Sequence, residues 1–218
     1  MADVTLTYKG STIAEMNASG SKTLKTAGKY CEGDIGVSYV KPSGGGGGST
    51  DNEDAIISRT ITSYSNPRVT KLGIYAFNTC TELTSIDLPL ATQIGNQCFA
   101  NDYYLVDVNL PSLITMGNNA FQKCTSLVKL TFPCLTAVPM SAFRYNTVFT
   151  TLILSNSTMC TLANKNALDG TPIASGTGYI YVPQALLESY KAATNWVTYA
   201  AQFRAIEDYP DICGEVTT

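Results

Sequence analysis

A period of 22 residues runs through the middle of the chain and constrains the fold more than any single side chain does. Gly95-Asn96-Gln97-Cys98-Phe99 returns as Gly117-Asn118-Asn119-Ala120-Phe121. Phe77, Phe99, Phe121 and Phe143 follow one another at that step, as do Pro67, Pro89, Pro111 and Pro133. A fixed period of this length belongs to a solenoid, in which each unit hides its apolar face only by stacking on its neighbours. The runs LTSIDLP (83–89), LVDVNLP (105–111), LVKLTFP (127–133) and FTTLILS (149–155) each predict a short strand with one face inward. After the proline come an apolar pair, a glycine turn and an Ala-Phe or Cys-Phe step on the opposite side of the coil. ISRTITSYSNP (57–67) fits the same frame as a degenerate first coil. Leu162 with Ala167-Leu168 reads as a further half-unit, lengthened by two residues around Thr158–Cys160.

Composition narrows the classes. Hydrophobic residues make up 44% of the 218, enough for a sizeable core, and only 14% are charged, against about 25% in an average soluble protein. The net charge is −3 with no concentration of Lys or Arg, so nucleic acid and anionic membranes are not expected partners. No apolar run reaches the roughly 18–20 residues of a membrane span. MADVTLTYKG lacks a basic start followed by an apolar stretch, so no secretory leader is expected there. Seven cysteines suggest no complete disulfide framework. Cys80 and Cys124 share one repeat position, filled by Asp102 and Asn146 in the other units, and Cys98 stands where Ala76, Ala120 and Ala142 stand. At such positions a thiol serves as a small buried hydrophobe.

The chain divides into four parts. Residues 1–42 alternate apolar and polar residues between glycine-containing turns, predicting four short strands (4–8, 11–16, 21–26 and 35–40) in a small β module. A core this small is expected to dock on a partner or self-associate. Residues 43–53, with the run Gly44–Gly48, form a flexible linker. Residues 54–178 hold the repeats. Residues 179–218 are expected to hold a cap of the last coil (179–209) and a tail: YIYVP as a strand, then helical spacing of Leu186, Leu187, Tyr190 and Ala193, and again of Trp196, Tyr199, Ala200 and Phe203. Trp196 is read as the anchor of that cap. The expected architecture is mostly β, a solenoid of roughly 22-residue coils with a strand-and-helix cap, preceded by the small β domain.

The run IG-x-x-(A/C)-F-x-x-C-x-x-L-x-x-I-x-L-P resembles the BspA-like leucine-rich repeat, also called the Treponema pallidum type, over about residues 54–210. The closing IYVP…LLESYKAATNWVTYA…FRAIEDYP is similar to the end segment that follows such repeats in gut Firmicutes proteins. Departures are Pro139 and Ala163 in place of glycine and Ser155 in place of proline. ASGSKTLKTAGKYCEGDIGVSYVKP resembles short N-terminal modules of phage and prophage structural proteins from the same bacteria.

Catalytic chemistry finds little footing. With no His, Ser-His-Asp and Cys-His nucleophiles and Cys/His zinc sites are excluded. Asp87 and Asp107 fall on neighbouring coils, ~7–8 Å apart by diagonal strand spacing, a pair that could suit a Ca²⁺ ligand set or a two-acid glycosidase; two solvated carboxylates are the plainer reading. The Gly run lacks the GK(S/T) of a phosphate loop. Asn17-Ala18-Ser19 and Asn156-Ser157-Thr158 match glycosylation triplets that arise often by chance. No cofactor or metal is expected.

A binding surface is the better candidate. The outward strand positions Ser85 and Asp87, Asp107 and Asn109, Lys129 and Thr131, Thr151 and Ile153 would stack into a stripe of mostly short polar side chains. Such a stripe suits hydrogen bonding to a sugar or to protein backbone, and also plain solubility. Tyr75, Tyr103, Tyr104, Tyr145 and Phe149 are the aromatic candidates for contact area. The two resemblances together imply a non-enzymatic phage virion component, fibre-like, whose repeats bind a host-surface glycan or protein. Residues 1–42 would then join other virion proteins or form a homo-oligomer, a trimer being the stoichiometry assumed. The alternative is a bacterial surface adhesin of the BspA type.

Overall fold

The computed structural model describes residues 61–213 together with the strands β1 (Val4–Tyr8), β2 (Ser11–Met16) and β3 (Lys22–Leu24). These three strands form one antiparallel sheet in the order β1-β2-β3, with Tyr8 opposite Ser11 and Met16 opposite Lys22. The fourth strand expected at 35–40 and the linker at 43–53 lie outside the described residues.

From Ile61 the chain winds into stacked coils, each carrying two short strands. The first coil has β4 (Ser63–Ser65) and β5 (Lys71–Leu72), and the second β6 (Ser85–Asp87) and β7 (Gln93–Ile94). The third has β8 (Asp107–Asn109) and β9 (Thr115–Met116), and the fourth β10 (Lys129–Phe132) and β11 (Ala137–Val138). The last has β12 (Thr151–Leu154) and β13 (Thr161–Leu162). Except between the third and fourth coils, the strands pair in parallel with the equivalent strand one coil away: Ser63 beside Ser85 beside Asp107, and Lys71 beside Gln93 beside Thr115. Ala137 pairs with Thr161, two residues more than the period, which is the insertion expected around Thr158–Cys160.

The third side of each coil has no strands yet is hydrogen-bonded as regularly. Tyr75, Phe77 and Thr79 donate their N–H groups to the carbonyls of Asn96, Cys98 and Ala100, and Gln97, Phe99 and Asn101 repeat the pattern one coil on. To aim these groups along the stack, two residues in each of the first four coils take left-handed backbone: Tyr75 and Thr79, Gln97 and Asn101, Asn119 and Lys123, Ser141 and Tyr145, with φ between 53° and 66°. None is glycine, so sterics oppose the conformation and the ladder of N–H···O=C bonds holds it. Threonine hydroxyls add rungs: Thr84 and Thr92 donate to the carbonyls of Thr62 and Thr70.

Inside, Phe77, Phe99 and Phe121 stack with centroids 5.2 and 5.1 Å apart. Cys80, Cys98 and Cys124 are fully buried beside them, and burial pushes the Cys98 and Cys124 thiols well above the usual range. Gly95 and Gly117 bring consecutive coils together. A Cβ on Gly95 would lie 2.5 Å from the Gly73 carbonyl carbon, and one on Gly117 2.3 Å from the Asn96 nitrogen.

Both sheets break between the third and fourth coils, leaving β4-β6-β8 apart from β10-β12 and β5-β7-β9 apart from β11-β13. Gly95 and Gly117 donate to the carbonyls of Leu72 and Ile94; Pro139, at the next equivalent position, has no N–H to give. On the other sheet Phe132 replaces leucine at an inward position. Its ring contacts both Phe121 and Phe143 and spreads that pair to 6.0 Å.

The cap is more strand-like than its periodicity suggests. β14 (Tyr179–Val182) pairs with β12, and β15 (Phe203–Ala205), which the spacing had placed on a helix, pairs with β14. Between them lie a 3-10 turn at Gln184–Leu186, α1 (Leu187–Ala192) and a second 3-10 segment at Trp196–Gln202. Trp196 is fully buried and donates its indole N–H to the Cys160 carbonyl at 2.8 Å, while Tyr190 accepts the Cys160 N–H at 2.7 Å. The expected cap anchor is therefore where it was placed, with Tyr190 and Phe203 against it at 5.8 and 5.6 Å. After β15 comes a 3-10 turn at Ile206–Asp208 and then α2 (Pro210–Cys213).

Candidate recognition face

The strand repeat turns alternate side chains inward and outward, and the outward ones of β4, β6, β8 and β10 make one face. Ser85, Asp87, Asp107, Asn109, Lys129 and Thr131 are all on it, with Asp87, Asp107, Asn109, Lys129 and Thr131 exposed and Ser85 half-buried. In one column Ser65 Oγ donates to Asp87 Oδ2 at 3.0 Å and Asn109 Nδ2 donates to Asp87 Oδ1 at 2.7 Å. Asp87 is thus held by the coils on either side, and its carboxylate is fixed in place. Asp107 sits diagonal to it, opposite Ser85; its N–H bonds the Thr84 carbonyl, but its carboxylate has no hydrogen bond or ion pair among the described residues. Among those residues no three His, Cys, Asp or Glu side chains converge as a metal site.

The C-terminal end of the stripe differs from expectation. Thr151 is half-buried, and Ile153, expected to face solvent, is 1% exposed. The reason is the chain itself. After β15 the backbone doubles back over the outward side of β14 and β12, and Ile206, Tyr209 and Cys213 pack on Ile153 and Tyr181. The rings of Tyr181 and Tyr209 meet edge to face at 5.4 Å. Lys129 Nζ donates to the Ile212 carbonyl at 2.5 Å. Desolvation, with Cys213 and Tyr209 close by, raises the Tyr181 hydroxyl, while Lys129 partly offsets the upward push of burial on the Cys213 thiol. No feature of the spacing marked residues 209–213 as a cover, because they fall after the period has ended.

The aromatic candidates separate. Tyr103 and Tyr104 are exposed, Tyr104 at 62%, at the corner that leads into β8. Val106, Val128 and Val148 are exposed at the same corner of this and later coils. These valines went unnoticed in the sequence because they adjoin the inward positions Leu105, Leu127 and Phe149. Together they form an apolar margin beside the polar stripe. Tyr145 lies on the third side of its coil, with the Arg144 guanidinium 4.5 Å from its ring and Arg144 Nε 3.9 Å from Asp169. Tyr75 is also on that side, its hydroxyl accepting from Gln97 Nε2 at 3.2 Å. Phe149 is fully buried, stacked 5.1 Å from Phe143, and drops out as a contact residue. Asn156 is buried with Nδ2 bonded to the Leu135 carbonyl at 2.8 Å, which removes it as a surface glycosylation acceptor.

Stacked parallel coils, a polar face with fixed side chains and a capped end define a solenoid repeat protein with an exposed polar face. Residues 58–178 match the BspA type leucine-rich repeat region in six copies. The chain belongs to that family. A solved leucine-rich repeat protein from Bacteroides ovatus ATCC 8483 is similar over 66% of this chain and 35% of its own length, at 20% identity and a TM-score of 0.51. That likeness concerns the fold, and the chain spans about a third of that relative. Among curated proteins none matches.

Proposed function

We propose that the protein is a non-enzymatic adhesin of the bacterial surface, whose repeats recognise a host-surface protein or glycan through the outward face of β6, β8 and β10. The observation that carries this is the ordered stripe: a carboxylate bonded on both oxygens by neighbouring coils beside the unengaged Asp107 carboxylate, with the apolar margin of Tyr104, Val106 and Val128 next to it. Preorganised short polar groups lose little entropy on binding, and exposed tyrosine adds contact area. Family membership supports the surface location. The placement in a phage particle is carried by the sequence of the front segment alone, which lies mostly outside the described residues. Residues 1–42 are proposed as an attachment or self-association module in either setting.

The test is adhesion of purified full-length chain to immobilised host-cell surface material. Asp107→Arg and Thr131→Arg should each weaken it at least tenfold, while Lys71→Glu on the other sheet leaves it unchanged. Equal loss from all three, or from none, refutes the face assigned here. Light scattering of the full chain tests self-association: a monomer at all concentrations rules it out.

A further inference from the structure

The seat beneath the C-terminal tail points to the kind of ligand the face takes. From β15 to Cys213 the tail crosses β14 and β12 and reaches β10, on the same side as the free stripe. It fills the apolar end of the column Thr131, Ile153, Tyr181; the column Ser65, Asp87, Asn109 belongs to the first three coils, on the other side of the sheet break. Its hold is slight. The hydrogen bonds of Tyr209, Ile212 and Cys213 N–H stay within the tail, so no backbone ladder joins it to the sheet. Lys129 Nζ to the Ile212 carbonyl is its one hydrogen bond to the strands from Tyr209 onward among the described residues. That bond is exposed, and Ile212 itself is 38% exposed. A segment with few buried contacts and an exposed polar tie is the sort that opens before the rest of a domain.

We propose that Lys129, Ile153 and Tyr181 form a seat for a polypeptide segment of a partner, which displaces Tyr209–Cys213 and continues across Thr131 and Asn109 toward Asp107. This rests on the reading of the stripe as a binding surface and names its ligand class. Three features favour polypeptide. The seat already holds one, lying across the strands. Lys129 binds a main-chain carbonyl, which every peptide offers. The apolar pair Ile153 and Tyr181 takes an aromatic or aliphatic side chain where Tyr209 now rests. The Asp107 carboxylate, without a partner among the described residues, adds a preference for a basic residue further along the segment. While the tail is seated, apparent affinity falls by the fraction of molecules in which the seat is closed.

The experiment uses the full chain and a fluorescent synthetic peptide of residues 206–213 carrying C213S, read by anisotropy. Tyr209→Ala in the protein, which removes the ring from Tyr181, should raise peptide affinity at least tenfold over the unaltered chain. Tyr209→Phe should behave as the unaltered chain, and Ile153→Thr added to Tyr209→Ala should remove the gain. Equal affinity for all, or no binding, overturns the proposal. Should Tyr209→Ala not fold, hydrogen exchange on the unaltered chain decides: amides of 209–213 must exchange at least a hundredfold faster than those of β12 and β14. Equal protection overturns it. A glycan that binds the face with the same affinity in the unaltered and Tyr209→Ala proteins would also overturn it, while leaving the adhesin reading intact. Loss of adhesion in neither Asp107→Arg nor Thr131→Arg would sink that reading instead.

Discussion

Asp102 is the residue whose replacement should change the protein most informatively. It is fully buried. Its Oδ1 accepts the Cys80 N–H at 2.7 Å, and its Oδ2 has no partner. Burial outweighs the backbone bonds and holds its carboxyl at about 9 against an ordinary value of 3.8. The folded protein therefore keeps a proton at pH 7 that the unfolded chain releases. For an acid raised in this way, the stabilising contribution is complete below 3.8 and declines as pH rises toward about 9, above which it changes no further. Each pH unit in that window costs the folded state ~1.36 kcal/mol, so the penalty at pH 7 is at most about 4 kcal/mol. Two coils on, Asn146 bonds the Cys124 N–H at 2.8 Å in the same way with no proton at stake. Asp102→Asn should thus retain the rung and remove the penalty. Urea titrations from pH 5 to 8 should show the variant gaining on the parent by about 1.4 kcal/mol per pH unit, with near-equality at pH 4. The difference between the two proteins cancels every other titrating group. A variant less stable than the parent at pH 7, or a gap that does not move with pH, would refute the reasoning.

Three further outcomes follow from the coil geometry. Gly95→Ala should lose about 1–3 kcal/mol in denaturant titration, since its Cβ must displace Gly73 backbone rather than a flexible side chain. Lys123→Asn should gain about 0.5–1 kcal/mol by the same measurement, because asparagine tolerates the left-handed backbone at φ 60° and already serves there as Asn101 one coil earlier. Among the cysteines of the described residues, iodoacetamide followed by mass spectrometry should label the exposed Cys134 first and the half-buried Cys213 more slowly. Among the described residues, Cys80, Cys98, Cys124 and Cys160 should label only on unfolding, burial having raised the Cys160 thiol to about 12.

The coil was legible because each inward position repeats its chemistry. Phe77, Phe99, Phe121 and Phe143 can be read off as one column, and so can the strand starts at Leu83, Leu105 and Leu127. The left-handed pairs were not legible, since Tyr75, Gln97, Asn119 and Ser141 share no residue type. Their conformation is imposed by hydrogen bonds between coils, which a local reading does not see. The break between the third and fourth coils was half visible: Pro139 stood out as a departure, whereas Phe132 looked like one more apolar residue. On the face, the period placed Asp87 and Asp107 correctly as diagonal neighbours but did not show Asp87 clasped by Ser65 and Asn109. The helical spacing of Trp196, Tyr199 and Phe203 misled at its end. Phe203 serves a strand, and strand pairing with β14 overrode the pattern.

The distribution of variation along the repeat bears on why the ligand is harder to read than the fold. Positions that face the core accept little change, because each is packed by the coils before and after it. The outward columns are free of that demand and run Ser, Ser, Asp, Lys, Thr in one and Ser, Asp, Asn, Thr, Ile in the other. A stack built this way can change what it recognises without altering how it folds, up to the point where the surface turns apolar. There the freedom ends: Ile153 and Tyr181 would be left as bare apolar surface, and the chain covers them with Tyr209 and Cys213. A cover is needed only where the face has been made sticky. If the face takes polypeptide as proposed, the place the chain shields is therefore where a partner segment would gain the most apolar contact.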